Sequence, residues 1–225
     1  MSDFNFNAVD SKEWLALLKL QTLIFNSSLN PAGKLIHLVT QTPDNEMSSI
    51  AAVTSRIGLD IKVSIGGFYH PACNRPLIIR QKLLQLGFPW DGILIIDLDH
   101  EEVGPGKRFE YHNTRTEMEM VVRYCLQNSI YSLGVSAPPF HQVRSYMHTI
   151  SALKKFNQPD TIKVFSFPGW PLNWFANAKH SQGITTGERH SLIDGEIERI
   201  FNYAKMGDLL QPSEVLAYFL RVHGD

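Results

Sequence analysis

The sequence predicts an α/β fold, a Rossmann-like doubly wound, mainly parallel sheet of about five strands with helices on both faces and extra helices at both termini. Two observations carry this. Short apolar runs alternate with segments of helical spacing from Lys34 to Pro168. Glycines at 58 and 87 fall just past two of the helical segments, where a left-handed residue ends a helix at least cost.

The elements follow in order. Asp10-Ser-Lys-Glu13 starts a first helix, with Asp10 placed to accept an orphan amide hydrogen bond and Glu13 in the positive first turn. Trp14, Leu17, Leu18, Leu20, Leu23 and Ile24 recur at helical spacing, and this helix is expected to pack across the sheet edge. Residues 35–39 then read as a strand, 46–57 as a helix, 61–65 as a strand and 76–86 as a helix. A third strand is expected over 93–96, a helix over 114–127, a fourth strand over 130–135, a helix over 140–154 and a fifth strand over 162–167, before Pro168-Gly169. From Trp170 the chain holds an aromatic segment, a Gly- and Thr-bearing loop over 183–187, and helices over 189–206 and 213–222. With no linker or repeat in view, one domain over 1–225 is expected, its core at 34–168 and a helical extension at 170–225.

Composition narrows the function classes. A formal net charge of -1, with Lys and Arg spread along the chain, provides no basic field for nucleic acid. The N-terminus lacks a basic region followed by an apolar stretch, and no apolar run approaches the roughly 20 residues that span a bilayer, so no membrane insertion is expected. Cys73 and Cys125 fit neither a disulfide framework nor a thiolate zinc site, which makes cytoplasm the expected location. Nine histidines occur without His-Glu-x-x-His or similar spacing, so no metal site is assigned. Gly-x-x-x-x-Gly-Lys and Gly-x-Gly-x-x-Gly are absent.

Parallel strands share one C-terminal edge, and ligands of such sheets bind in the crevice there. The residues expected to meet there include Thr40-Gln-Thr42, Gly66-Gly67, Asp97, Asn113-Thr114, and Ser136 with His141 and Arg144. Gly66 and Gly67 let backbone amides approach an anion, though they equally make a tight turn. Thr114-Arg-Thr-Glu117 fits a capping box at a helix N-terminus whose dipole favours a phosphate or carboxylate. His141 and Arg144 are three apart on one helix face, with Arg144 suited to hold an anion and His141 to act as acid or base near neutral pH. Asp97-Leu-Asp99 resembles the strand-end Asp-x-Asp of haloacid-dehalogenase-like phosphatases, but His100-Glu-Glu follows it where that family has a Thr. Trp170, Trp174 and Phe175 cover the crevice, dock on a partner or, as the favoured reading, pack as an ordinary loop on the sheet edge.

Four pieces in order, Ser64-x-Gly66-Gly67, Leu86-Gly-Phe-Pro89, Asn113-Thr114-x-x-Glu117 and Ser136 with Phe140-His141-x-x-Arg144, resemble the ElyC/SanA/YdcF family of Rossmann-like domains. Gly195-Glu196-Ile-Glu-Arg199-Ile200, Tyr203 and Gly207-Asp208 resemble the tail of some members. The resemblance implies a ligand site at the strand ends, with S-adenosylmethionine the ligand proposed for one branch and cell-envelope metabolism the setting of others. The chain departs from the family at Thr40-Gln-Thr-Pro-Asp44, where a Gly-rich turn is usual, and at Arg75, where an acidic residue is usual. It also has Met118 after Glu117 where Asn is common, and a longer loop over 98–112.

Three functions are consistent with these residues. The leading one is binding of a small anionic or nucleotide-like ligand by Gly66, Gly67, Asn113, Thr114, Glu117, Ser136, His141 and Arg144, with His141 as the candidate acid or base. The second is a phosphate- or acyl-ester hydrolase using Asp97 or Ser136 with His141. The third is a non-catalytic interaction protein with a degenerate site.

Overall fold

The computed structural model describes residues 8–26, 35–39, 43–56, 61–66, 75–96, 113–179 and 186–224. Helix α1 (Ser11–Asn26) precedes strand β1 (Leu35–Leu38), α2 (Pro43–Arg56), β2 (Lys62–Gly66), α3 (Arg75–Gln85) and β3 (Ile93–Ile96). Then come α4 (Thr114–Gln127), β4 (Ser132–Ser136), α5 (Pro139–Lys155) and β5 (Lys163–Ser166). A two-stranded hairpin, β6 (Asn177–Lys179) and β7 (Thr186–Glu188), leads through a 3-10 turn to α6 (Leu192–Met206) and α7 (Pro212–His223).

The main sheet has five strands, all parallel, in the order β3-β2-β1-β4-β5. The doubly wound α/β fold expected from the alternation of runs is therefore present. Sequence order reverses between β1 and β4, which pair from Leu35↔Leu133 to Leu38↔Ser136, so the topological switch point lies there. The pleat sends alternate residues of β1 to opposite faces, and all four are buried. Ile36 and Leu38 join Ile50, Val53, Ile79 and Leu83 of α2 and α3 on one face. Leu35 joins Met118, Val121, Met147 and Ile150 of α4 and α5 on the other. Ile200, Phe201, Val215 and Phe219 of the C-terminal helices and Leu17, Leu20 and Ile24 of α1 belong to that second cluster.

The end of α3 is built as its sequence suggested. Gly87 sits at φ 87°, and the Phe88 amide returns to the Leu83 carbonyl at 3.0 Å. Gly58 lies outside the described residues. At the start of α1, Asp10 Oδ1 accepts from the Lys12 amide at 2.9 Å, as its position implied.

Two expectations are corrected. Helix α1 lies along α7 rather than across the sheet edge: Glu13 accepts from the Ser213 amide at 2.9 Å and from its hydroxyl at 2.6 Å, capping α7 from a neighbouring helix. Helix α7 itself covers the edge. The Tyr218 hydroxyl accepts from the Val164 amide at 3.1 Å and donates to the Ile162 carbonyl at 3.0 Å, while His223 Nε2 donates to the Val164 carbonyl at 2.8 Å. Those are the outward-facing groups of β5, which would otherwise offer a template for pairing with another chain. Tyr218→Phe is expected to lower stability by about 1–3 kcal/mol by leaving a buried donor and acceptor unmade. Denaturant unfolding of the two proteins checks this, and a loss under about 0.5 kcal/mol would mean that water replaces the hydroxyl.

The second correction concerns the C-terminal extension. Thr186 and Gly187 of the expected loop form β7 together with Glu188, and Arg189–Ser191 are a 3-10 turn rather than the first turn of a long helix. Trp170 is docked on α2: its indole Nε1 donates to Ser55 Oγ at 3.0 Å, its amide to the Ser48 carbonyl at 3.0 Å, and Ser48 Oγ donates to its carbonyl. Among the described residues no helix is long and apolar enough to cross a membrane.

Candidate functional site

The first turn of α4 is capped one residue earlier than its sequence suggested. Asn113 is the N-cap, its Oδ1 accepting from the Thr116 amide at 3.1 Å while Thr116 Oγ1 accepts from the Asn113 amide at 3.2 Å. Asn113/Thr116 thus replaces the expected Thr114/Glu117 box. The reason is burial: Glu117 points into the interior, and its carboxylate goes to His37 of β1 instead of back to the helix start.

His37 forms a relay of its own. Glu117 Oε1 lies 3.1 Å from His37 Nε2, and His37 Nδ1 lies 3.0 Å from Ser64 Oγ of β2. A carboxylate only accepts, which assigns the proton to Nε2 and leaves Nδ1 to accept from the serine hydroxyl. All three side chains are buried, so the cluster ties β1, β2 and α4 together beneath the sheet's C-terminal edge.

Helix α5 begins after Pro138, with Pro139 in its first turn, where the missing amide costs nothing. Gln142 fixes that turn to the sheet: its Oε1 accepts from the Ala137 amide at 2.7 Å, and its Nε2 donates to the Val135 carbonyl at 2.8 Å and to Ser166 Oγ at 3.0 Å. With this anchor, His141 and Arg144 face α6 and α4.

The two side chains converge on Glu196 of α6. Arg144 Nε donates to Glu196 Oε2 at 2.6 Å and Nη2 to Oε1 at 3.0 Å, a bidentate pair buried at both ends. His141 Nδ1 lies 2.9 Å from Glu196 Oε2, and Nε2 lies 3.3 Å from Thr114 Oγ1. The carboxylate again places the proton on Nδ1, so Nε2 accepts from the threonine hydroxyl. Arg144 Nη2 also lies 3.1 Å from Nδ1, and Arg199 Nη1 reaches Glu196 Oε1 at 3.5 Å.

Arg144 gives two of its five N–H donors to Glu196, and Nη1 is left over. Buried, it has no hydrogen-bond partner among the described residues. Arg144 borders a pocket of about 90 Å³ lined also by Asn113, Thr114, Arg115, His148, Tyr203 and Asp208. Gly207, at φ 79°, ends α6 and swings Asp208 to the rim, where Asp208 binds Arg115. Hydrogen bonding to Glu119 is the main reason the Arg115 guanidinium is held above its ordinary value.

His148 lies one turn beyond Arg144 on α5, its ring centroid 6.0 Å from that of Tyr203. Burial first, and the nearby Arg144 second, push its imidazole well below the ordinary value of 6.5, so it is neutral at physiological pH. The Arg144 guanidinium carbon lies 5.9 Å from the Tyr203 ring centroid, within cation–π range.

The structure brings Asn113, Thr114 and Arg144 to one pocket, with His141 behind Thr114 and Glu117 beneath the same helix turn. Gly66 and Ser136 stand at the ends of β2 and β4 and do not line it. Ser136 Oγ has no hydrogen-bond partner among the described residues, so the hydroxyl that His141 reaches is Thr114's and not Ser136's. Gly67, Asp97, Asp99 and residues 40–42 lie outside the described residues, as does the 98–112 loop. Cys125 is buried in the core, and burial pushes its thiol up to about 12, which removes it as a nucleophile. Among the described residues no three His, Cys, Asp or Glu side chains group to hold a metal ion.

Sequence reasoning missed His37 and His148, and read Glu196 and Tyr203 only as part of a tail. Glu196 carried a usable signal: with Leu192 and Ile200 it forms an i, i+4, i+8 row, so a carboxylate occupies the buried stripe of α6. Compared with known proteins, the chain matches no family model and no curated protein sequence.

Proposed function

We propose that this chain is a YdcF-like protein that binds a small anionic or nucleotide-like ligand, with Arg144 as the anchor for its carboxylate or phosphate. One observation supports this above others: the buried Arg144 Nη1 group has no acceptor among the described residues, and Arg144 borders a pocket at the start of α4. An unsatisfied buried donor costs about 1–3 kcal/mol, which a ligand oxygen would recover. The positive end of α4 adds to the attraction for an anion. Asn113, Thr114 and Tyr203 supply polar and aromatic contacts around the anchor. S-adenosylmethionine, with one carboxylate and an adenosine, is the first ligand to test. The reading keeps the cytoplasmic location expected from the cysteine content.

The test is a thermal-shift series with S-adenosylmethionine, ATP, glucose 6-phosphate and inorganic phosphate. Ligand at a hundredfold its dissociation constant is expected to stabilise by roughly 2.7 kcal/mol, a rise of about 5–11 °C for a chain of this size. Arg144→Lys keeps a cation beside Glu196 but removes the fork, and it should lose the shift. An equal shift in folded Arg144→Lys, or no shift with any of the four compounds, would overturn the assignment.

A further inference from the structure

The pocket at the start of α4 holds, besides the anion anchor, the end of a carboxylate–imidazole–hydroxyl relay. We infer that Thr114 is a nucleophile, with His141 as its general base and Glu196 as the positioning residue, so that the site cleaves an ester bearing an anionic group. The inference rests on this pocket being the ligand site.

The geometry has the three parts that activate a hydroxyl. Thr114 Oγ1 is 3.3 Å from His141 Nε2, a distance suited to a ligand-free site that tightens around its substrate. His141 Nδ1 is 2.9 Å from Glu196 Oε2, which sets the tautomer whose Nε2 lone pair faces Thr114 Oγ1. Glu196 is in turn held by both nitrogens of the Arg144 fork, so the base cannot rotate away. His141 is fully buried, whereas Thr114 borders the pocket together with Arg144. The relay therefore ends at a residue of the pocket wall.

The second relay, Glu117–His37–Ser64, has the same three group types, yet its serine is wholly buried and none of the three lines the pocket. That contrast separates a cluster that braces the sheet from one that reaches a ligand.

In the reaction, Thr114 Oγ1 bonds to the ester carbonyl carbon and its proton passes to His141 Nε2. Arg144 anchors the substrate's anionic group. The ester C–O bond breaks, and the leaving alcohol takes the proton from Nε2. Water then attacks the acyl-threonine, giving a proton to Nε2 that returns to Oγ1 as the acid departs.

Methanesulfonyl fluoride, small enough for a pocket of this size, probes the nucleophile directly. An O–S bond forms at Thr114, the S–F bond breaks, fluoride leaves with the bonding pair, and the hydroxyl proton moves through His141 to water. Intact-mass kinetics with peptide mapping should show one adduct, at Thr114. Thr114→Val should abolish it and Thr114→Ser should keep it. Glu196→Gln should slow labelling at least tenfold, with partial recovery in Glu196→Asp, a dependence that a merely structural hydrogen bond would not produce. Absence of the adduct in the folded wild-type chain, an adduct elsewhere only, or a rate indifferent to Glu196→Gln would overturn the inference. Run beside the thermal-shift series, the outcomes separate: an anion shift without labelling removes the nucleophile and leaves the ligand site, and labelling without any anion shift removes the ligand assignment.

Discussion

Arg144→Ala and Glu196→Ala are each expected to destabilise the chain by about 3–5 kcal/mol, the cost of leaving one member of a buried ion pair without its partner. At about 2–4 °C per kcal/mol for this length, the melting temperature should fall by roughly 6–20 °C. Burial decides the magnitude. The two side chains are 1% and 3% exposed, whereas a comparable pair in solvent, such as Lys154 with Glu214, is worth about 0–1 kcal/mol. Glu196→Ala should be the worse of the two, because Glu196 serves His141 and Arg199 as well as Arg144. The double variant Arg144→Met/Glu196→Met should lie closer to the wild type than Glu196→Ala does, since it removes both charges and keeps apolar volume. Thermal and denaturant unfolding of the variants would check the order. A double variant as unstable as the sum of the Arg144→Met and Glu196→Met singles would mean that the pair is not coupled, and the network account of the site would fail.

The positions of α4 and β3 were legible because capping residues and an apolar run mark them locally. Residues 114–127 and 93–96 are the same in both readings. The β6–β7 hairpin was not legible, because strands of three residues are too short for a period-2 signal. The candidate site's geometry was legible in its local half. Asn113, Thr114, His141 and Arg144 stand at helix starts after strands, which is where a parallel sheet presents ligands. Their partners are decided by tertiary packing: Glu196 lies 52 residues beyond Arg144 in sequence, and His37 lies 80 before Glu117. His37 sits inside an apolar strand with nothing nearby to signal a carboxylate. The capping residue at α4 was ambiguous for the same reason, since Asn113 and Thr114 both suit the position and only the burial of Glu117 separates them.

Acid should destabilise the protein through His148 before the carboxylates titrate. In the unfolded chain this imidazole protonates near 6.5; in the folded chain burial, Arg144, His141 and Arg115 oppose the charge, and Glu196 offsets them only in part. Between the two values the unfolded state binds one more proton, so stability is complete above about 6.5 and falls as pH drops, by about 1.4 kcal/mol per unit. From pH 7.5 to 5.5 this single group should remove about 1.4 kcal/mol. His223 acts in the same direction, because burial lowers it as well, though its bond to the Val164 carbonyl works against the shift. His148→Leu isolates the first contribution: Nδ1 has no partner among the described residues, so the substitution removes the titration without breaking a bond at that atom. The variant's loss between pH 7.5 and 5.5 should be smaller than that of the wild type by about 1.4 kcal/mol, measured by denaturant unfolding at the two values. Equal losses would mean that the imidazole takes up its proton in the folded state, and the pocket wall beside Arg144 would then carry a second positive charge in mild acid.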